Sequence, residues 1–125
     1  MSDNSHQRKL AIELFQVMNS GEFSKFQDRL AEEVAFDFPG TEILKGKKRV
    51  LLFLRVLLRK YKELKFTVTD IVENGNKLVA VWINEGISNQ GKAYRNSGLT
   101  LMYFNDKGQI TFLSDYFKDT SFVND

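Results

Sequence analysis

The chain has no cysteine, one histidine and one proline. Without cysteine, a disulfide framework, thiol chemistry and a cysteine-ligated zinc site are all excluded. The single histidine, His6, lies in a polar N-terminal stretch, residues 1–6, that is expected to be flexible. That removes a histidine-based triad and any multi-histidine metal cluster. No acidic metal motif takes their place, so neither a metal nor a cofactor is expected. The lone proline, Pro39, marks no linker, and no repeat or low-complexity tract occurs, so residues 1–125 are expected to form one domain. Long apolar runs are also missing. Val50 to Leu58 is broken by Arg55 and is too short to span a bilayer, and Met1 to Arg8 lacks a signal-peptide core. These absences lead to the expectation of a cytoplasmic chain with no membrane partner.

What is present is apolar and aromatic. Hydrophobic residues make up 42% of 125 residues and phenylalanine occurs 11 times, enough for a sizeable core. The net charge is only +2 but unevenly spread. Lys45 to Lys65 holds nine Lys/Arg against Glu63, a local +8 that leaves −6 for the rest. The plainer reading of this basic run is a solvated helix face. Clustered cations can also contact phosphate, but no nucleic-acid motif accompanies them, so a nucleic-acid partner is not expected.

The periodicity of apolar residues changes along the chain. Leu10, Ala11, Leu14, Phe15, Val17 and Met18 repeat at helical spacing, with a stop at Asn19-Ser20-Gly21. Phe23, Phe26 and Leu30 predict a short second helix. Glu33 to Phe38 alternates as a strand up to Pro39-Gly40. Val50, Phe53, Leu54, Leu57, Leu58 and Tyr61 predict a third helix from about Gly46. Strands then follow at Phe66–Val72, Lys77–Ser88, Lys92–Phe104 and Gln109–Lys118. They are separated by turns at Glu73-Asn74-Gly75-Asn76, Asn89-Gln90-Gly91 and Asn105-Asp106-Lys107-Gly108. Helices segregated from an antiparallel meander indicate an α+β fold.

That order, with four landmarks, resembles the nuclear transport factor 2-like superfamily in its SnoaL-like and ketosteroid isomerase-like branch. The landmarks are Met18-Asn19-Ser20-Gly21-Glu22-Phe23, Glu32 to Gly40, Gly46, and Phe104 to Ile110 leading to Asp115-Tyr116-Phe117. The resemblance implies a cone-shaped, curved antiparallel sheet packed on three helices around a ligand cavity (a cystatin-like fold). It does not imply one activity, because the family holds isomerases, cyclases, hydrolases, dehydratases and binding proteins. Matched residue by residue, the isomerase base falls on Phe38, its tyrosine on Leu14 and its second aspartate on Thr100. None of these can do that chemistry, so ketosteroid isomerase activity by the usual residues is not expected.

The resemblance also implies which strand faces line the cavity. It places Val81, Ile83, Glu85 and Ile87 inside, together with Tyr94, Asn96, Gly98, Thr100 and Met102, and with Leu113, Asp115 and Phe117. Phe36, Phe38 and Phe53 complete an apolar wall. Asp115 and Glu85 are then the candidate catalytic carboxylates. Asn96, Thr100, Tyr94, Phe36, Phe38, Phe53, Met102 and Phe117 are the candidate ligand contacts. Burial among apolar groups raises a carboxyl pKa and suits it to acid–base work. In the plainer alternative Asp115 is simply hydrogen-bonded by Tyr94, Asn96 or a backbone amide.

The leading function is a pocket protein for a small apolar molecule. It would act as a cofactor-independent isomerase, cyclase, lyase or hydrolase through Asp115. The alternative is a non-catalytic ligand-binding or accessory dimerisation domain. The opposite parity directs Trp82, Leu99, Leu101, Tyr103, Phe112 and Tyr116 outward, an apolar patch expected to form a homodimer.

Overall fold

In a computed structural model, residues 5–124 are described. Helix α1, His6–Ser20, begins at Ser5, whose Oγ accepts the Arg8 amide N–H at 3.0 Å, satisfying one of the free amides at a helix start. Ser5 and His6, read as part of the flexible stretch, therefore open a helix; residues 1–4 lie outside the described residues. The helix ends at Gly21, which takes the left-handed conformation (φ 77°) and donates its N–H to the Val17 carbonyl.

Among the described residues two α-helices form, not three. The expected second helix is a single 3-10 turn, Phe26–Arg29, because Leu30 already begins strand β1, Leu30–Asp37. The eight residues between Gly21 and that strand turn the chain without forming an α-helix, yet Phe23 and Phe26 still reach the core. A two-residue strand β2, Leu44–Lys45, and helix α2, Lys47–Leu58, follow. Tyr61, read as the end of that helix, instead opens β3, Tyr61–Asn74. The remaining strands are β4, Lys77–Ser88, β5, Ala93–Phe104, and β6, Ile110–Phe117.

The six strands form one sheet in the order β2-β1-β6-β5-β4-β3. Strands β3 to β6 are the antiparallel meander, while β1 runs parallel to β6. Helix α1 packs on β3 and β4, and α2 on β1 and β2, so the two helices cover one face of the sheet. The Asn19 amide fastens α1 to the sheet. It donates to the Phe66 carbonyl at 3.0 Å and accepts the Phe66 N–H at 2.7 Å, as another strand would. Among the described residues no helix is long and apolar enough to cross a membrane.

Candidate functional site

The covered face of β5 carries Tyr94, Asn96, Gly98, Thr100 and Met102, and that of β6 carries Leu113, Asp115 and Phe117. The register pairs Gly98 with Phe117, Thr100 with Asp115 and Met102 with Leu113. Directly opposed residues point to the same side of a sheet, so Thr100 and Asp115 meet on the inside. The phase expected for β4 is reversed. Trp82 pairs with Gly98, Ala80 with Thr100 and Asn84 with Asn96, so the even-numbered residues of β4 face inward. Trp82 is 1% exposed and belongs to the core, not to the outer patch. Val81, Ile83, Glu85 and Ile87 lie on the outer face. Glu85 is exposed there, in register with Lys65 and Arg95, and does not approach Asp115.

Turning Trp82 inward creates a directional chain. Its indole Nε1–H donates to Thr100 Oγ1 at 3.0 Å, and the Thr100 hydroxyl donates to Asp115 Oδ1 at 2.7 Å. Since the Thr100 oxygen already accepts from the indole, its proton is directed at the carboxyl, which leaves Asp115 Oδ2 outside the chain. The indole sits edge-on to Phe66 and Phe117, with centroids at 5.3 and 4.9 Å. It also covers Gly98, where an added Cβ would fall 2.9 Å from the ring, so that position needs a residue without a side chain. Burial pushes the Asp115 carboxyl up to about 7, and the Thr100 hydrogen bond lowers it only in part. No Lys or Arg forms an ion pair with it among the described residues.

The other candidates divide into three groups. Phe36, Phe38, Phe53 and Phe117 cluster with Phe122. Phe38 is the hub, 5.8, 5.2, 5.5 and 6.1 Å from Phe36, Phe53, Phe117 and Phe122. Met102 is fully buried. Asn96 is committed to the chain's own backbone. It donates to Tyr94 Oη and to the Asp119 carbonyl, and accepts from the Ser97 and Asp119 amides. Burial raises the Tyr94 hydroxyl above its usual value. An open groove of about 760 Å³ lies beside Tyr94, Leu64 and Gly86, and a second of about 350 Å³ opens on the outer face at Gly98 and Tyr116. Neither borders Asp115.

The family model for the SnoaL-like domain matches residues 11–113. The chain belongs to the SnoaL-like family. No curated protein matches its sequence. Among solved structures, a Xanthomonas campestris pv. campestris protein described provisionally as a polyketide cyclase superposes with a TM-score of 0.86 at 20% identity. That match covers 98% of each chain. A Burkholderia pseudomallei K96243 protein of unknown function, called NTF2-like, gives 0.86 at 16% identity over 97% of each chain. A Jannaschia sp. CCS1 protein, described provisionally as a SnoaL-like polyketide cyclase, gives 0.82 at 16% identity, covering 94% of this chain and 92% of that one. At these identities the likeness is one of fold.

Two polar groups on the covered sheet face of this SnoaL-like domain escaped the sequence reading, Trp82 and Asn84. Asn84 is 2% exposed, and its Oδ1 has no hydrogen-bond partner among the described residues. Both are hidden by the same reversed phase. The three-residue turn Asn89-Gln90-Gly91 is the signal that recovers them. It centres the hairpin on Gln90, so partners equidistant from it, such as Ile87 and Ala93, share parity. The hydrogen-bond chain has a consequence of its own. Thr100→Val removes the one hydrogen bond that lowers the Asp115 pKa and leaves the Trp82 N–H unpaired. The carboxyl should titrate higher than in the wild type by NMR, and stability should fall by about 1–3 kcal/mol in chemical denaturation. An unchanged Asp115 titration would remove Thr100 from the electrostatics of the site.

Proposed function

We propose that this SnoaL-like domain binds a small apolar molecule on the covered face of its sheet and moves a proton at Asp115, without a cofactor. One observation carries the reading: a carboxyl that titrates near neutrality, has no cationic partner and is held at one oxygen by Thr100. An acid–base group works best with a pKa near the operating pH, because both protonation states are then populated. With Oδ1 occupied by Thr100, Oδ2 is the oxygen available to a substrate C–H or to a leaving oxygen. The reactions this serves are isomerisation, cyclisation, elimination or hydrolysis of a carbonyl compound. The names of the Xanthomonas and Jannaschia proteins agree with a carbon-acid substrate. Phe38 and Leu14 offer no base or donor, so the chemistry is assigned to Asp115 and not to the positions used by ketosteroid isomerases. Tyr94, Met102 and the phenylalanine cluster supply the apolar wall, and Phe117 or Phe122 must turn aside to admit a ligand. The domain is assigned to the cytoplasm.

A second reading has its own observation. Phe36, Phe38, Phe53, Phe117 and Phe122 pack ring against ring at 4.7 to 6.1 Å, which suits a closed accessory domain. In either reading we propose a homodimer through the uncovered sheet face.

The two readings part in one experiment. The chain has a single tryptophan, so its fluorescence reports occupancy beside Asp115. A panel of apolar ketones is titrated against that signal, and binders are incubated in D2O and followed by NMR. Exchange of α-hydrogens that depends on one group titrating near pH 7 supports catalysis at Asp115. Binding without exchange would make the domain a non-catalytic ligand binder, and no binding by any ketone overturns the carbonyl substrate and favours the closed accessory domain.

A further inference from the structure

The basic run falls on α2, and large aliphatic side chains lie among its cations. Val50, Leu51 and Leu54 of this helix face the core, whereas Lys48, Arg49, Leu52, Arg55, Val56 and Arg59 are exposed. With 3.6 residues per turn, Leu52 and Val56 follow one another along the middle of the exposed side. Lys48, Arg55 and Arg59 run along one flank and Arg49 along the other. Leu52 is 59% and Val56 45% exposed, and Ile43, beside the β2 strand that packs on α2, is 48% exposed. A helix face that meets only water should be polar. The cations are also almost unneutralised. Among the described residues the one ion pair on this helix is Lys47 with Glu32, at 3.2 Å. Arg55 lies over the Phe23 ring at 5.8 Å.

An aliphatic ridge with cations on both flanks matches the boundary of an anionic bilayer. There, aliphatic groups enter below the headgroups while Lys and Arg stay among the lipid phosphates. We propose that the outer face of α2 docks on an anionic lipid surface, with Leu52 and Val56 inserted and Lys48, Arg49, Arg55 and Arg59 on the phosphates. Nucleic acid offers the same phosphates, but its backbone gives two adjacent aliphatic side chains nothing apolar to enter, so the lipid is the better fit. The contact is peripheral and needs no spanning segment. It is also independent of Asp115, and it lies on the helix side of the sheet, away from the proposed dimer face.

The test uses the whole chain with two kinds of sedimentable vesicle, phosphatidylcholine alone and equal parts phosphatidylcholine and phosphatidylglycerol. Binding should occur to the anionic vesicles only and should fall as salt is added. Leu52→Ser with Val56→Ser should weaken it roughly tenfold. Arg49→Gln with Arg59→Gln should weaken it about twenty-five-fold, at roughly fivefold per cation. Both pairs of positions are solvent-facing, so melting should stay as in the wild type; if the serine pair melts early, Leu52→Gln with Val56→Gln decides. No binding to anionic vesicles overturns the proposal. So does binding that is indifferent to Leu52 and Val56, and so does duplex DNA that strips the protein from the vesicles at equal phosphate.

Discussion

Asp115→Asn should abolish proton transfer and yet make the folded chain more stable at and above neutral pH. The loss follows from the role proposed for the carboxyl. An amide keeps an oxygen for the Thr100 hydroxyl but can neither take nor give a proton, and removing such a group costs roughly a hundredfold or more in rate. The gain in stability follows from the raised pKa. The usual value is 3.8 and the folded value is about 7. Below the lower value the carboxyl is protonated in both folded and unfolded chains and makes no difference. Between the two, the unfolded chain ionises while the folded one keeps its proton, so stability falls as pH rises, and the penalty is complete above about 7. At about 1.4 kcal/mol per pKa unit its upper bound is about 4 kcal/mol. The side chain is only partly buried, so roughly 1–3 kcal/mol is the expected gain on replacing it with asparagine. Denaturant midpoints of the two chains should therefore diverge at alkaline pH and converge near pH 4. Parallel midpoints across that range would show that Asp115 is ionised at no cost, and would take away its suitability as an acid–base group. The stability arm holds for the accessory reading as well, so it tests the electrostatics apart from the chemistry.

The helices and strands were legible from their apolar periodicity, whereas the inward phase of the strands came from the family resemblance. In β5 and β6 the phase implied by the resemblance holds: Asn96, Thr100 and Met102 are buried and Arg95 is exposed, and Leu113 and Asp115 face inward. Strand β4 offers no such contrast. Leu78, Ala80 and Trp82 alternate with Val79, Val81 and Ile83, so either phase buries three apolar groups, and only the hairpin register chooses between them. The error was consequential because it moved Trp82 out of the site and put Glu85 into it. The missing helix has a different cause. Phe23 and Phe26 are spaced for a helix, but the backbone must turn into β1 within one turn, so tertiary connection overrides local pattern. Asn96 was legible as an interior polar residue, but its partners were not. Asp119 lies 23 positions away, and the bond depends on the chain folding back after β6. Asn84 was invisible for the reason that hid Trp82.

If the proposed homodimer forms through the outer sheet face, Leu101→Asp should convert it into a monomer. The face of the sheet opposite the helices carries Leu99, Leu101, Tyr103, Phe112 and Tyr116, of which Tyr116 is 55% exposed. Moving Trp82 inside does not dissolve this patch. The reversed phase of β4 puts Val79, Val81 and Ile83 in its place, directly opposite Leu101, Leu99 and Ser97. A sheet face turned to water should alternate to polar side chains, and here three adjacent strands keep it apolar. A contiguous patch of this kind marks an interface, and a two-fold pairing of identical sheets covers it with the fewest distinct contacts. In such a pairing every substitution occurs twice. Leu101 sits near the middle, flanked across strands by Val79 and by Ser114. A carboxylate there would be stripped of water among apolar neighbours, and the cost is several kcal/mol per ion. Two copies should weaken association by at least about a thousandfold. Light scattering should give twice the 14.5 kDa chain mass for the wild type and the single mass for the variant at the same micromolar concentration. The far-UV spectrum should be unchanged, because the side chain projects away from the core. A wild-type chain that already scatters as a monomer, or a variant that stays dimeric, would leave this face without the partner proposed for it.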